Sequence, residues 1–222
     1  APNVSPYNTV QARCTMWEDR LTRVLDETDA DQVSLVAHSM GGLDARYLIS
    51  EQGWHNTVAA LVTVATPHRG SAVASLLLDQ PDAVRKWITE MADWVGTHIL
   101  EDGSANIRQA LKELTPKYVE NVFNEEVPDH PDVQYWSYGC QAGKGTEIPI
   151  DPIFRYLNNY LYEREGVNDG IVSVRSARWG DYLGTVDADH ARQVGLRSRL
   201  AASFDSNAFY ASIARQLAEE GL

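Results

Sequence analysis

The sequence predicts an α/β domain in which a mostly parallel sheet is flanked by helices. Apolar runs typical of buried strands recur along the chain, and helical patterns separate them. The 222 residues have 44% hydrophobic content, which is enough for a sizeable core. Neither an internal repeat nor a linker divides the sequence, so we expect one domain over residues 1–222.

The elements can be placed in order along the chain. Apolar residues at helical spacing predict a first helix that begins near Asn8 or Thr9 and ends before Asp31. Apolar runs predict strands over 33–37, 58–67 and 132–139, and a strand-like stretch over 171–174. The last predicted helix covers 206–217.

The stretch "QVSLVAHSMGGLDARYL", residues 32–48, places Ser39 on a turn between a strand and a helix. Small residues two positions either side, Ala37 and Gly41, fit the pattern G-x-S-x-G of a nucleophile elbow. They let the strand and the helix pass close to the turn, while a strained backbone lifts the serine hydroxyl clear of the sheet. The context therefore predicts that Ser39 is a nucleophile rather than a loop or capping serine.

A serine nucleophile needs a base and a carboxylate that orients the base. In α/β-hydrolases the chain order is Ser, then Asp or Glu, then His. One histidine, His190, comes late enough to follow the last strand; those that come too early are His38, His55, His68, His98 and His130. We therefore predict His190 as the base, the alternative being a histidine on a surface loop.

The orienting acid should lie between the third strand and His190. Asp169 stands in an Asn-Asp-Gly turn before the strand-like stretch, a position that suits a catalytic loop but is also an ordinary turn. Its rivals are Asp181, Asp187 and Asp189, the last being badly placed because it directly precedes the histidine. We predict Asp169 as the acid.

Residues 71–128 are helical in pattern and read as an insertion between strands. Within it, Trp87, Ile88 and Met91 lie on one apolar face of a helix that begins near residue 81. Such a face is usually core packing. Because an apolar substrate needs an apolar cleft with a movable cover, we predict a lid or cap that contacts substrate.

Charge and composition limit the classes of binding partner that the sequence favours. The formal net charge is −12 and the basic residues are scattered, which argues against nucleic acid and anionic membranes and favours a neutral partner. No apolar run reaches the 18 residues of a membrane span, and the N-terminus carries no signal sequence, so we expect a secreted protein whose signal has been removed.

Cys14 and Cys140 could form a disulfide or stay as free thiols, and neither has metal-ligand spacing. We expect no cofactor.

Four motifs together resemble the bacterial triacylglycerol lipases of the α/β-hydrolase fold, close to the Pseudomonas and Burkholderia type. They are "VSLVAHSMGGLDARYL", "VATPHRGS", "NDGIVSVRSARWG" and "ADHARQVG". The resemblance implies Ser39 as nucleophile, Asp169 as acid, His190 as base and residues 71–128 as the lid region. It implies a neutral lipid ester substrate at an oil–water interface. The alternatives are an esterase, phospholipase or acyltransferase with the same triad, or a non-catalytic lipid-binding module.

The tetrahedral intermediate of such a reaction needs two hydrogen-bond donors for its oxyanion. One is the backbone N–H of the residue after the nucleophile, here Met40, and the other comes from a loop after an earlier strand. The first 32 residues contain one helix and no glycine, so we expect the opening strands to be missing from the chain. Because one lost donor costs about 10²–10³ in turnover, the isolated chain is expected to be poorly active.

The resemblance also implies a calcium ion held by an acidic residue two positions after the catalytic histidine. Arg192 occupies that position here. A guanidinium repels a cation and donates where calcium needs oxygen acceptors, so we predict no calcium of this type. Asp151 is the expected partner of Arg192, the alternative being that the arginine points to solvent.

Overall fold

The computed structural model describes residues 8–79, 104–196 and 204–222. In this part of the chain four strands form one parallel sheet in the order β1-β2-β3-β4. The strands are β1 (Val33–His38), β2 (Val58–Val64), β3 (Gln134–Cys140) and β4 (Asp181–Val186). The predicted parallel α/β architecture is confirmed.

Helices connect and cover the strands. Three of them are α1 (Val10–Thr28), α2 (Gly41–Glu51) and α3 (Ala72–Asp79). The longer helices that follow are Ser104–Glu113, Arg155–Glu165 and Ser206–Glu219. The short helical segments are Trp54–Asn56, Pro116–Tyr118, Val119–Phe123, Asn124–Glu126, Pro152–Phe154, Val174–Ala177 and Arg192–Val194.

The first helix begins where the sequence predicts. The Thr9 side chain accepts a 3.2 Å hydrogen bond from the backbone N–H of Ala12, which satisfies one of the free donors of the first turn. The helix then packs on α2, where Arg13 and Asp44 form a buried ion pair at 2.6 Å. This contact fixes α1 against the helix that follows Ser39.

Helices cover both faces of the sheet at β2, a strand whose residues are nearly all buried. Alternate residues of a strand point to opposite faces, and β2 follows this rule. On one face Leu61 packs with Ala45 and Ile49 of α2. On the other face Val62 packs with Ile213 and Leu217 of the last helix. At the outer position of the described sheet, β1 carries Val36 with 38% of its surface exposed.

Two strand assignments differ from the sequence prediction. The stretch 171–174 is not a strand, because the Ser173 side chain accepts from the Ser176 backbone N–H and so starts a short helix at Val174. A single antiparallel bridge joins Asn168 to Ser173. The fourth strand lies later, at Asp181–Val186, in a stretch without the apolar run that marked the other three strands.

The two cysteines are free thiols, so the disulfide alternative is wrong. Cys14 packs between α1 and α2, while Cys140 packs under the last helix in a different cluster. Burial raises the pKa of both thiols, which keeps them protonated and unreactive. None of the helices in the described ranges has the length and apolar character needed to cross a membrane.

Candidate active site

The sharp turn at Ser39 joins β1 directly to α2. Ser39 has φ of 55°, a left-handed conformation that costs about 1–3 kcal/mol for a residue with a side chain. Neighbouring groups hold it there. Its N–H donates to the Val64 carbonyl at 2.9 Å, and its own carbonyl accepts from the Thr66 hydroxyl at 2.7 Å and from Gly42 N–H at 3.1 Å. The expected nucleophile elbow is therefore present in the backbone.

The close approach at this elbow involves a different glycine from the expected one. A Cβ on Gly41 would meet no atom within 4 Å among the described residues. A Cβ on Gly42 would lie 2.2 Å from Thr66 Oγ1. Thus α2 passes closest to the loop after β2 at Gly42, and the pattern residue Gly41 is not the point of contact. Ala37 fits as predicted, since it is buried against α2.

The structure brings the three predicted triad residues together. His190 Nε2 lies 3.0 Å from Ser39 Oγ, and His190 Nδ1 lies 2.8 Å from Asp169 Oδ2. Because a carboxylate accepts, the imidazole proton belongs on Nδ1, which leaves Nε2 to accept from the serine hydroxyl. The three groups therefore stand in the order required for a serine nucleophile, its base and an orienting acid.

Asp169 is fully buried and its carboxylate is fully hydrogen-bonded. Its Oδ1 accepts from the backbone N–H groups of Ile171 and Val172 at 3.0 and 2.8 Å, and its Oδ2 accepts from His190 and Gln193. Burial alone raises the pKa of a carboxyl, but His190 and these hydrogen bonds outweigh it, so the pKa of Asp169 lies below its ordinary value. The acid is thus held as a carboxylate.

The turn that carries Asp169 is anchored by a buried amide pair. The side chain of Asn158, on the Arg155–Glu165 helix, donates to Asn168 Oδ1 at 2.8 Å, and Asn168 donates back to the Asn158 carbonyl at 3.2 Å. Asn168 Oδ1 also accepts from the Gly170 N–H at 2.9 Å. These bonds fix the Asn-Asp-Gly turn, so it is more than an ordinary surface turn.

The rival carboxylates have other partners. Asp187 accepts from the exposed side chain of Gln141 at 2.8 Å, and Asp181 lies exposed at the start of β4. Asp189 accepts from both the backbone N–H and the Nε of Arg192, at 3.0 and 2.9 Å. Among these candidates the structure therefore leaves Asp169 as the carboxylate that contacts the base.

Met40, the predicted oxyanion donor, precedes the first turn of α2. Within the described residues its backbone N–H donates no hydrogen bond, and its carbonyl accepts from Leu43 and Asp44. The N-terminus of a helix carries partial positive charge, which favours an anion near this N–H. Its role in binding an oxyanion stays a prediction. The predicted substrate-contacting residues Trp87, Ile88 and Met91 lie outside the described residues.

Arg192 has a different carboxylate partner from the expected one. It pairs with Asp189, and it also donates to the Pro149 carbonyl, whereas the Asp151 side chain accepts from the Ile153 N–H at 3.0 Å. A bound calcium would need oxygen acceptors where this guanidinium donates. The residues in this loop therefore do not fit the calcium site that the lipase resemblance implies.

Sequence reasoning missed two polar residues that contact this site. Gln193 donates to Asp169 and accepts from the ring of His38, the residue before the nucleophile. Thr66, after β2, donates to the carbonyl of Ser39. The positions of Gln193 and His38 near the predicted triad residues were the available signal. Thr66 lies in the motif "VATPHRGS", but it is 27 residues from Ser39, and nothing in the sequence indicated its contact with the nucleophile turn.

Comparisons with known proteins agree with this fold. A family model, the PGAP1-like alpha/beta domain, matches residues 8–93, which is less than half of the chain. The chain is 29% identical to triacylglycerol lipase 2 of Saccharomyces cerevisiae over 206 residues, which cover 89% of the chain and 57% of that lipase. It is 42% identical to a triacylglycerol lipase of Burkholderia plantarii over 132 residues, covering 56% of the chain and 36% of that lipase.

A solved structure gives the fold. The crystal structure of the metagenomic carboxyl esterase MGS0156 superposes with a TM-score of 0.72 at 20% identity, covering 99% of this chain and 65% of that one. This similarity supports the α/β-hydrolase fold for the described sheet and helices. The chain spans about half or less of the length of the two lipases, and the specific resemblance to the Pseudomonas and Burkholderia type stays a prediction.

Proposed function

We propose that this chain carries the catalytic residues of a serine carboxylic-ester hydrolase. Ser39 is the nucleophile, His190 the general base and acid, and Asp169 the orienting carboxylate. The observation that carries the proposal is the continuous series of contacts, 3.0 Å from Ser39 to His190 and 2.8 Å from His190 to Asp169, behind a strained turn. The names of the relatives, lipases and an esterase, support an ester as substrate.

Acylation follows from this geometry. His190 Nε2 takes the proton of Ser39 Oγ while the oxygen attacks the ester carbonyl carbon. The carbonyl oxygen becomes an oxyanion, which accepts a hydrogen bond from the Met40 N–H. As the ester C–O bond breaks, His190 gives the same proton to the departing alcohol oxygen, and the acyl group remains on Ser39. Asp169 stabilises the imidazolium that exists between the two transfers.

Deacylation repeats the sequence with water. A water molecule loses a proton to His190 Nε2 and attacks the acyl carbon, and a second oxyanion forms at the same place. Its collapse breaks the bond to Ser39 Oγ, which recovers the proton from His190. The carboxylic acid leaves and the enzyme returns to its starting state. The proton transfers use the Ser39–His190 and His190–Asp169 contacts of the resting structure.

The finer proposal is a triacylglycerol lipase that acts on neutral lipid at an oil–water interface. The lipase names of the yeast and Burkholderia relatives support it, as does the net charge of −12, which favours a neutral substrate. The second candidate is an esterase for short soluble esters. A structural neighbour named as a carboxyl esterase matches 99% of this chain, which supports that reading.

Hydrolysis assays with matched variants test both proposals. We expect the chain to hydrolyse a short p-nitrophenyl ester and emulsified triolein at a low rate, and Ser39→Ala to abolish both activities. Ser50→Ala, in the same α2 region, is the control and should keep them. A lipase gains activity sharply when its substrate exceeds solubility, whereas an esterase does not. Binding of lipid without hydrolysis would instead indicate a non-catalytic module and contradict the proposal.

A further inference from the structure

A second set of hydrogen bonds connects Asp169 to the turn that carries Ser39, through Gln193 and His38. Gln193 Nε2 donates to Asp169 Oδ2 at 2.8 Å, and the His38 Nε2 lies 2.8 Å from Gln193 Oε1. His38 is joined to Ser39 by the peptide bond, and Ser39 contacts His190, which contacts Asp169. The three loops that carry the triad are therefore tied together in a closed circuit.

The orientation of the Gln193 amide is fixed by its surroundings. The residue is fully buried, so water does not compete for its polar atoms. Burial, reinforced by the nearby His190, lowers the pKa of His38 from 6.5 to about 3, so its ring is neutral. With Nε2 of His38 as the donor, Gln193 must present its carbonyl to His38 and its NH₂ to Asp169. A flipped amide would place oxygen against a carboxylate.

We propose that Gln193, held by His38, is a positioning residue that fixes the Asp169 carboxylate against His190. The inference rests on the proposed function, because it concerns the same triad. Asp169 Oδ2 is shared by two donors, the imidazole N–H and the amide N–H. The amide limits how far the carboxylate can rotate away from the imidazole, and it withdraws electron density from the oxygen that stabilises the imidazolium.

Removal of the Gln193 amide has an electrostatic effect on Asp169 whose direction can be predicted. The amide N–H presents positive partial charge to the carboxylate, so its removal raises the pKa of Asp169 and strengthens the attraction between the carboxylate and the imidazolium. The titratable groups that face this pair are His38, whose ring centroid lies 4.7 Å from that of His190, and the Cys140 thiol near Asp169, which burial keeps protonated. Asp189, next to His190 in sequence, is paired with Arg192. A change at Gln193 removes the hydrogen-bond partner of His38, whereas the Cys140 thiol and the Asp189–Arg192 pair keep their contacts.

Two variants test the contribution of the Gln193 side-chain amide. Gln193→Met keeps length and shape but cannot donate, and Gln193→Glu replaces the donor by an acceptor that can carry charge. Gln141→Met is the matched control, because Gln141 makes the same amide-to-aspartate bond to Asp187 at an exposed position. The imidazole pKa of His190 is measured by NMR on labelled protein, with His190→Ala used for assignment. Ester hydrolysis is measured across pH in parallel.

For Gln193→Met we expect the acid limb of kcat/KM to move to higher pH. We expect kcat to fall roughly 10- to 100-fold, with little change in KM, because the base is less well placed. Gln193→Glu should raise the acid limb further, and Gln141→Met should match the wild type.

An unchanged pKa of His190 in folded Gln193→Met would overturn the proposal. So would a loss of kcat that follows only a lower melting temperature, with the pH profile unmoved. A wild-type chain that hydrolyses no ester would instead contradict the proposed function. In that case the NMR comparison still decides whether Gln193 controls the His190–Asp169 pair.

Discussion

The hydroxyl of Thr66 donates a 2.7 Å hydrogen bond to the carbonyl oxygen of Ser39, across the ends of two neighbouring strands. The carbonyl it holds belongs to a residue with φ of 55°. A strained conformation persists only when the surrounding structure holds it, and Thr66 is one of the groups that do so. The shape of the turn therefore depends on a residue of the next strand's loop.

Thr66→Val tests this dependence, because it removes the hydroxyl and keeps the branched shape. We expect the free energy of unfolding to fall by about 1–2 kcal/mol, since the Ser39 carbonyl loses a partner. We also expect kcat for a short ester to fall roughly 10-fold, because Ser39 is less well placed. Thr28→Val on the exposed end of α1 is the control. If Thr66→Val kept the stability and kcat of the wild type, the conformation of the Ser39 turn would not depend on Thr66.

The two glycines after Ser39 should respond differently to alanine. In Gly42→Ala the new methyl would lie 2.2 Å from Thr66 Oγ1, which is itself tied to Ser39, so we expect a loss of about 1–3 kcal/mol in unfolding free energy. Gly41→Ala meets no described atom and should be neutral or slightly stabilising. Urea denaturation of both variants measures the difference. Equal losses at the two positions would be inconsistent with the packing described for Gly42.

Much of the fold could be predicted from the sequence because its signals are local. Apolar residues predominate in β1, β2 and β3, and Thr9 caps the first helix as its residue type suggests. The fourth strand was missed because it has no apolar run, and Ser173 turned a strand-like stretch into a helix start. A side-chain contact outweighed the local pattern at Ser173, whereas β4 is defined by its pairing with β3.

The site was predictable to the extent that chain order constrains it. Order and turn context selected Ser39, Asp169 and His190, and the structure places them in series, although their catalytic role stays a prediction. Gln193 and Thr66 could not be selected in this way, because their roles depend on hydrogen bonds between loops that are distant in sequence.

The burial of His68 predicts that the free energy of unfolding depends on pH. It is fully buried against Trp179, its Nε2 lies 3.0 Å from Thr63 Oγ1, and its Nδ1 has no partner among the described residues. Burial, together with Arg46 and Arg69, lowers the pKa of His68 well below its ordinary 6.5. The unfolded chain then binds a proton that the folded chain does not, so stability is lost as pH falls below about 6.5.

The expected slope is about 1.4 kcal/mol per pH unit for one such imidazole. Unfolding free energies at pH 7.5 and pH 5 measure it for the wild type and for His68→Asn. The variant should lose less stability over this interval than the wild type does, whatever its stability at pH 7.5. His55→Asn, at a partly exposed position, is the control. A wild-type slope in His68→Asn would mean that other groups cause the acid sensitivity.

The loop that carries His190 should be steadied by Arg192 rather than by calcium. The Arg192–Asp189 pair is buried, so Arg192→Ala leaves an unpaired carboxylate and should cost about 3–5 kcal/mol. Arg20→Ala on the exposed face of α1 should cost little. Melting of the wild type with excess calcium and with chelator should give the same midpoint. A calcium-dependent rise of several degrees would show that our interpretation of Arg192 is wrong.

Our central proposal is that Ser39 is a nucleophile activated by His190. The most direct measurement is the mass of the intact chain after reaction with a fluorophosphonate, followed by peptide mapping. We predict addition of one phosphonyl group on the peptide that contains Ser39, no addition in Ser39→Ala, and greatly slowed addition in His190→Ala. Addition at another residue, or unmodified wild-type chain under conditions that label a known serine hydrolase, would contradict the account.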